Sequence, residues 1–103
     1  MPIPWRLYLV CGESMGSAVP AGSVVAVAPL QTGPAVGDVV AYWQRPGGRV
    51  IVHRVMGRET DGIRTCGDAN ASPDPRVVAE EDLLGRVVWV SPLLGRLARL
   101  LRG

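Results

Sequence analysis

The sequence predicts a mainly β domain, a small distorted antiparallel barrel or sandwich with a short C-terminal helix. Three observations point there. Nearly half of the residues are hydrophobic, but the enrichment is in Val and Ala among many turn formers. The 13 Gly and 9 Pro interrupt most segments before they reach helix length. A chain of 103 residues can bury one apolar core and not two, so a single domain over residues 1–103 is expected.

The elements follow in order. Residues 5–11, Trp-Arg-Leu-Tyr-Leu-Val-Cys, are β-prone and run into Gly12-Glu13-Ser14-Met15-Gly16, where two glycines bracket a sharp turn. Pro20-Ala21-Gly22 turns again ahead of a strand over residues 23–28, whose unbroken apolar run predicts burial on both faces. Thr32-Gly33-Pro34 ends it, and Gly37-Asp38 opens a strand over residues 39–43. Arg45-Pro46-Gly47-Gly48 is a hairpin connection returning the chain as a strand over residues 49–56. With a period of two, His53 shares a face with Ile51 and Val55, and Arg54 points the other way.

Thr60-Asp61-Gly62 makes the next turn, a short strand spans residues 63–66, and residues 67–75 form a loop rich in turn formers. A final strand over residues 86–90, led in by Asp82 to Gly85, ends at Ser91-Pro92. The tail over residues 93–102 has helical periodicity, with Leu93, Leu94, Leu97, Leu100 and Leu101 on one side and Arg96, Arg99 and Arg102 on the other. Its leucines are expected to pack on the domain's own sheet or on a partner. The alternative is peripheral contact with an anionic membrane through Leu93, Leu97, Leu100 and Leu101.

Composition excludes several classes. A net charge of +2, with arginines spread along the chain, does not point to nucleic acid. No apolar stretch approaches the 20 or so residues of a spanning helix, and the N-terminus lacks the basic start and apolar run of a secretory signal. The chain therefore reads as soluble or peripherally membrane-associated. Cys11 and Cys66 are too few for a disulfide framework and share no zinc-ligand spacing with His53. Two buried free thiols are expected, with a bond between them as the alternative. The chain has no Lys, so any mechanism using a lysine base is excluded.

Candidate chemistry centres on Ser14. Serine-based hydrolysis needs a nitrogen base, and His53 is the single histidine. A carboxylate that holds the imidazole in one tautomer would complete the set, and Asp68 and Asp74 both qualify by type. Each of these residues also has an ordinary structural reading. Ser between glycines is commonly a turn residue, a lone His on an apolar strand is commonly buried structure, and Asp is a common loop cap.

Gly12-Glu13-Ser14-Met15 followed by Val19-Pro20-Ala21-Gly22-Ser23 resembles the Ser-Met-x-Pro-x-x-x-x-Gly-Ser/Asp box of type I signal peptidases. Further boxes arrive in the family's order. They are Gly37-Asp38-Val39-Val40, Val52-His53-Arg54-Val55, Gly67-Asp68-Ala69-Asn70 with Pro73-Asp74, Gly85-Arg86-Val87-Val88, and Pro92-Leu93-Leu94-Gly95. The resemblance spans Cys11 to Gly95, and its His-Arg box is similar to the archaeal and endoplasmic-reticulum branch, where histidine takes the place of lysine. It implies a signal-peptidase-type β-fold, from whose pattern the chain departs in that no membrane anchor is expected in it, since no spanning apolar stretch is present. Ser14 would be the nucleophile, His53 the base, and Asp74 or Asp68 the orienting acid, with Asp74 preferred at the end of its box.

By the same resemblance, backbone groups of Ser14 and Glu13 would meet the oxyanion, and Gly12 and Met15 would lie along the substrate. Family members usually carry Ser or Thr where this chain has Gly12, so backbone N–H groups take on more of the oxyanion's stabilisation. No metal or cofactor is implied. The expected substrate is a peptide or precursor protein cleaved after small residues; the alternatives are a non-catalytic peptide- or partner-binding domain of the same fold, or a maturation peptidase dedicated to one precursor.

Overall fold

The computed structural model describes residues 4–102 and consists of one six-stranded antiparallel sheet and one helix. The strands are β1 (Arg6–Leu9), β2 (Val24–Ala28), β3 (Val39–Gln44), β4 (Arg49–Glu59), β5 (Gly62–Cys66) and β6 (Leu83–Ser91). A 3-10 turn, Glu80–Asp82, leads into β6, and α1 (Pro92–Arg102) follows it directly. Each connection falls where Gly, Pro or Asp clusters predict it. β1 is shorter than expected, and β4 runs three residues further, past a bulge between Val55 and Gly57.

The sheet order is β1-β2-β6-β3-β4-β5, so the last strand inserts between the first and second pairs. This corrects the expected barrel: β1 and β5 are the two edges and do not pair with each other, and the sheet is open. The outer edge of β5 is partly covered by a bridge between Ile63 and Val78. Residues 8–14 on the β1 side and residues 74–78 on the β5 side instead flank a groove.

Core side chains lie on both faces. One cluster gathers Met15, Val19, Val25, Val27, Ala41 and Val52, and the other gathers Val40, Tyr42, Val55, Ile63 and Val78. Each fully buried aliphatic side chain is worth roughly 1.5–3 kcal/mol relative to exposure. All of Val25, Ala26 and Val27 are buried, as the unbroken apolar run of β2 predicts. In β4 the alternation also holds: Ile51, His53 and Val55 face the second cluster, while Arg54 points the other way to Asp68 and the Gly37 carbonyl.

Two expectations are overturned at the periphery. The expected packing of the α1 leucines on the domain's own sheet is one of them: Leu93, Leu97, Leu100 and Leu101 are exposed, because the helix leaves the end of β6 and makes few contacts with the sheet, chiefly with β2. The expected placements of the Arg99 and Arg102 side chains, and of residues 1–3, lie outside the described residues. Cys11 and Cys66 are unbonded, but Cys11 is exposed and Cys66 only partly buried, so they are not a pair of core thiols. No described helix is long and apolar enough to cross a membrane.

Candidate active site

Ser14 sits in the turn between β1 and β2. The turn closes with the Gly16 N–H donating to the Glu13 carbonyl, and Gly16 takes a left-handed φ of 57°, which favours glycine. Met15 is the turn's anchor: it is 1 % exposed and packs in the first core cluster, which leaves Ser14 at the rim. Met15 therefore does not border the groove, and its expected place along a substrate is corrected by its burial. The loop after β5 braces Ser14 from behind. The Ala69 N–H donates to the Ser14 carbonyl over 2.8 Å, and a Cβ at Gly67 would lie 2.9 Å from the Ser14 Cβ, closer than real Cβ atoms approach.

His53 lies in the middle of β4, paired with Val40 of β3, and its ring meets the Tyr42 ring edge-on with centroids 6.2 Å apart. Its Nε2 is 2.9 Å from Ser14 Oγ, and its Nδ1 is 2.5 Å from Asp74 Oδ2. A carboxylate facing Nδ1 favours the tautomer with the proton there, which leaves Nε2 to accept from the Ser14 hydroxyl. The serine, imidazole and carboxylate thus form one chain of hydrogen bonds drawn from three separate parts of the sequence.

Asp74 is held by groups the sequence reading did not single out. Thr65 Oγ1 donates to Asp74 Oδ2 over 2.7 Å, the Asp74 N–H donates to the Thr65 carbonyl, and Arg64 Nη1 donates to the Asp74 carbonyl. Thr65 is 0 % exposed. A signal for it was present: Thr65 alternates with Ile63 on the inward face of a strand that feeds the aspartate loop. Burial pushes the Tyr42 hydroxyl's pKa above its ordinary value; the Thr65 hydrogen bond opposes this and the Asp74 charge adds to it.

Asp68, the other candidate acid, does not meet His53. It accepts two hydrogen bonds from Arg54, at 2.9 and 2.8 Å, which hold its carboxyl below the usual carboxylate range despite partial burial. Both aspartates lie in one loop, but only Asp74 turns inward.

The groove beside Ser14 has a volume of about 840 Å³, within the common range for ligand sites. One wall is Tyr8 to Ser14, including Gly12 and Glu13; the other includes Tyr42, Ile51, His53 and Asp74. Among the described residues, nothing accepts a hydrogen bond from the backbone N–H of Glu13 or Ser14. Also among them, no group of three His, Cys, Asp or Glu side chains is placed to hold a metal ion. No protein-family model matches the chain, and no curated protein matches it in sequence.

Proposed function

We propose that this chain is a serine endopeptidase of the signal peptidase I type, with Ser14 as nucleophile, His53 as general base and Asp74 as the residue that orients the base. The observation that carries the reading is the continuous hydrogen-bond chain from Ser14 Oγ through His53 to Asp74, at 2.9 and 2.5 Å. The ordered sequence boxes support the family, and the β-sheet with its turn-borne serine is compatible with the fold that the resemblance implies.

In this reading an extended peptide lies in the groove, and Ser14 Oγ attacks the carbonyl carbon after a small residue. The hydroxyl proton passes to His53 Nε2, the imidazolium is stabilised by Asp74, and the unpaired Ser14 and Glu13 N–H groups are available to the oxyanion. As the peptide bond breaks, the proton passes from His53 to the leaving amine. A water molecule, deprotonated by His53, then hydrolyses the acyl ester and restores Ser14.

Hydrolysis of a peptide with an Ala-x-Ala segment, compared between wild type, Ser14→Ala and His53→Ala, is the direct test. Each variant is expected to lose about 10⁴-fold or more in kcat/KM while keeping the wild-type circular dichroism. Equal residual turnover in wild type and Ser14→Ala would remove the catalytic reading and leave a peptide-binding groove. Unfolding of His53→Ala would instead assign the imidazole to structure.

A further inference from the structure

We infer that the groove selects a peptide carrying an acidic side chain about four residues from the bond that Ser14 attacks, received there by Arg49 and Arg76. The inference rests on the proposed reading of the groove as a peptide site, and it names which peptides that site takes. Arg49, Ile51 and His53 alternate onto one face of β4, and all three line the groove. Their partners on β3 are Gln44, Tyr42 and Val40 with no break of register, so one continuous face leads from the imidazole to the β3–β4 hairpin.

Spacing along this face sets the position. From His53 to Arg49 the strand covers about 13 Å, and an extended peptide lying beside it advances at the same rate per residue. A peptide side chain about four residues from the cut therefore comes level with Arg49. The other wall follows the same course: it starts at Asp74, beside His53, and reaches Asp82, whose carboxylate accepts from Arg45 Nε over 2.8 Å. Arg76 lies between those two aspartates in the chain and lines the groove as well.

Charge sets the sign. Among the carboxylates that line the groove, Asp74 is engaged by His53 and Thr65, and Asp82 by Arg45. Arg49 donates through Nε to the uncharged Gln44 side chain over 3.1 Å. Among the described residues, neither Arg49 nor Arg76 has a carboxylate at ion-pair distance. The hairpin end thus holds guanidinium groups without counter-charge, whose planar fork matches a carboxylate. At the opposite end Glu13 adjoins Ser14, so an acidic side chain beside the cut meets a like charge. An extended peptide suits this arrangement because the groove also borders the unpaired edge of β1.

The test uses the full chain and fluorescent Ala-x-Ala peptides that differ only in one Asp, Asn or Arg, moved through successive positions on either side of the cut. Wild type is read by kcat/KM, and Ser14→Ala by Kd from fluorescence anisotropy. On one side of the cut, Asp should be preferred to Asn about fivefold near the fourth position, as for a partly exposed ion pair, and Arg should be the poorest. Added salt should shrink the preference. Arg49→Gln with Arg76→Gln should bring the Asp-to-Asn ratio close to one, and Arg49→Glu should turn the preference toward the Arg peptide. Both arginines are exposed, and unchanged circular dichroism checks that the variants fold. A ratio near one at every position in the wild-type chain, or a preference for Asp that survives the double substitution, would overturn the inference. If wild type cleaves none of the peptides, the Kd ratio on Ser14→Ala still decides the charge selection, and the catalytic reading alone fails.

Discussion

At the scale of single residues, Asp74 Oδ2 accepts from both His53 Nδ1 and Thr65 Oγ1, so the buried threonine fixes the carboxylate that holds the imidazole. Thr65→Val keeps the shape and removes the donor. It should lower kcat about tenfold with KM nearly unchanged, at about 1 kcal/mol in stability. Thr65→Ser should restore most of kcat, which a purely structural threonine would not require, and steady-state kinetics on the two variants decides it. A second residue-scale test follows from Gly12, where an added Cβ meets nothing within 4 Å. Gly12→Ser fits there, and on the proposed mechanism its hydroxyl should raise kcat/KM, by about tenfold at most since the Ser14 and Glu13 N–H groups would already serve the oxyanion. Ser14 and His53 could be named as candidates because the chain holds one histidine and sets the serine in a glycine-bounded turn, but it was the ordered boxes of the resemblance that preferred them over their ordinary structural readings. Thr65 was not, because threonine on a strand also reads as an ordinary β-former. Met15 was misplaced because adjacency to the candidate nucleophile does not say which side of a turn a side chain takes.

At the scale of elements, the loop after β5 must present Asp74 inward and brace Ser14, and it is tied down on its outer side by Arg54 and Asp68. Arg54 follows His53 on β4, so one strand supplies the imidazole from one face and the loop's clamp from the other. The Asp68 pKa is lower in the folded chain than in the unfolded one, chiefly through the Arg54 hydrogen bonds. The pair therefore stabilises the fold above the ordinary carboxylate range, and the contribution disappears as pH falls through the folded-state value. Both side chains are about one-third exposed, which keeps the effect below about 1 kcal/mol. Asp68→Asn should lower the thermal midpoint by a few degrees at neutral pH, and the two melting curves should converge in acid. A difference independent of pH would show that Asp68 acts by shape and not by charge. Strand positions were legible because turn residues punctuate them. The exposure of the α1 leucines was not, because an amphipathic pattern looks the same whether its apolar side meets a sheet, a partner or lipid.

At the scale of the molecule, the insertion of β6 between β2 and β3 leaves β1 as an edge, and this long-range pairing is what the sequence pattern did not convey. Alternation within a strand fixes which residues face inward, but it does not say whether the first and last strands meet. The unpaired edge has a definite hydrogen-bonding phase. Val10 directs its N–H to Ser23 and its carbonyl to Gly22, both toward the β2 side. Since antiparallel strands alternate the direction of their polar groups, Leu9 and Cys11 aim theirs at the open side, and both residues line the groove. An extended peptide docking as an added strand would therefore pair with the backbone of Leu9 and Cys11. Hydrogen exchange on Ser14→Ala with an uncleaved Ala-x-Ala peptide should show new protection at the Leu9 and Cys11 amides. The Val10 amide, already committed to Ser23, should exchange at the same rate with or without peptide. Protection confined to residues 74–78 instead would place the peptide on the far wall, and the β1 edge would then have no part in substrate alignment.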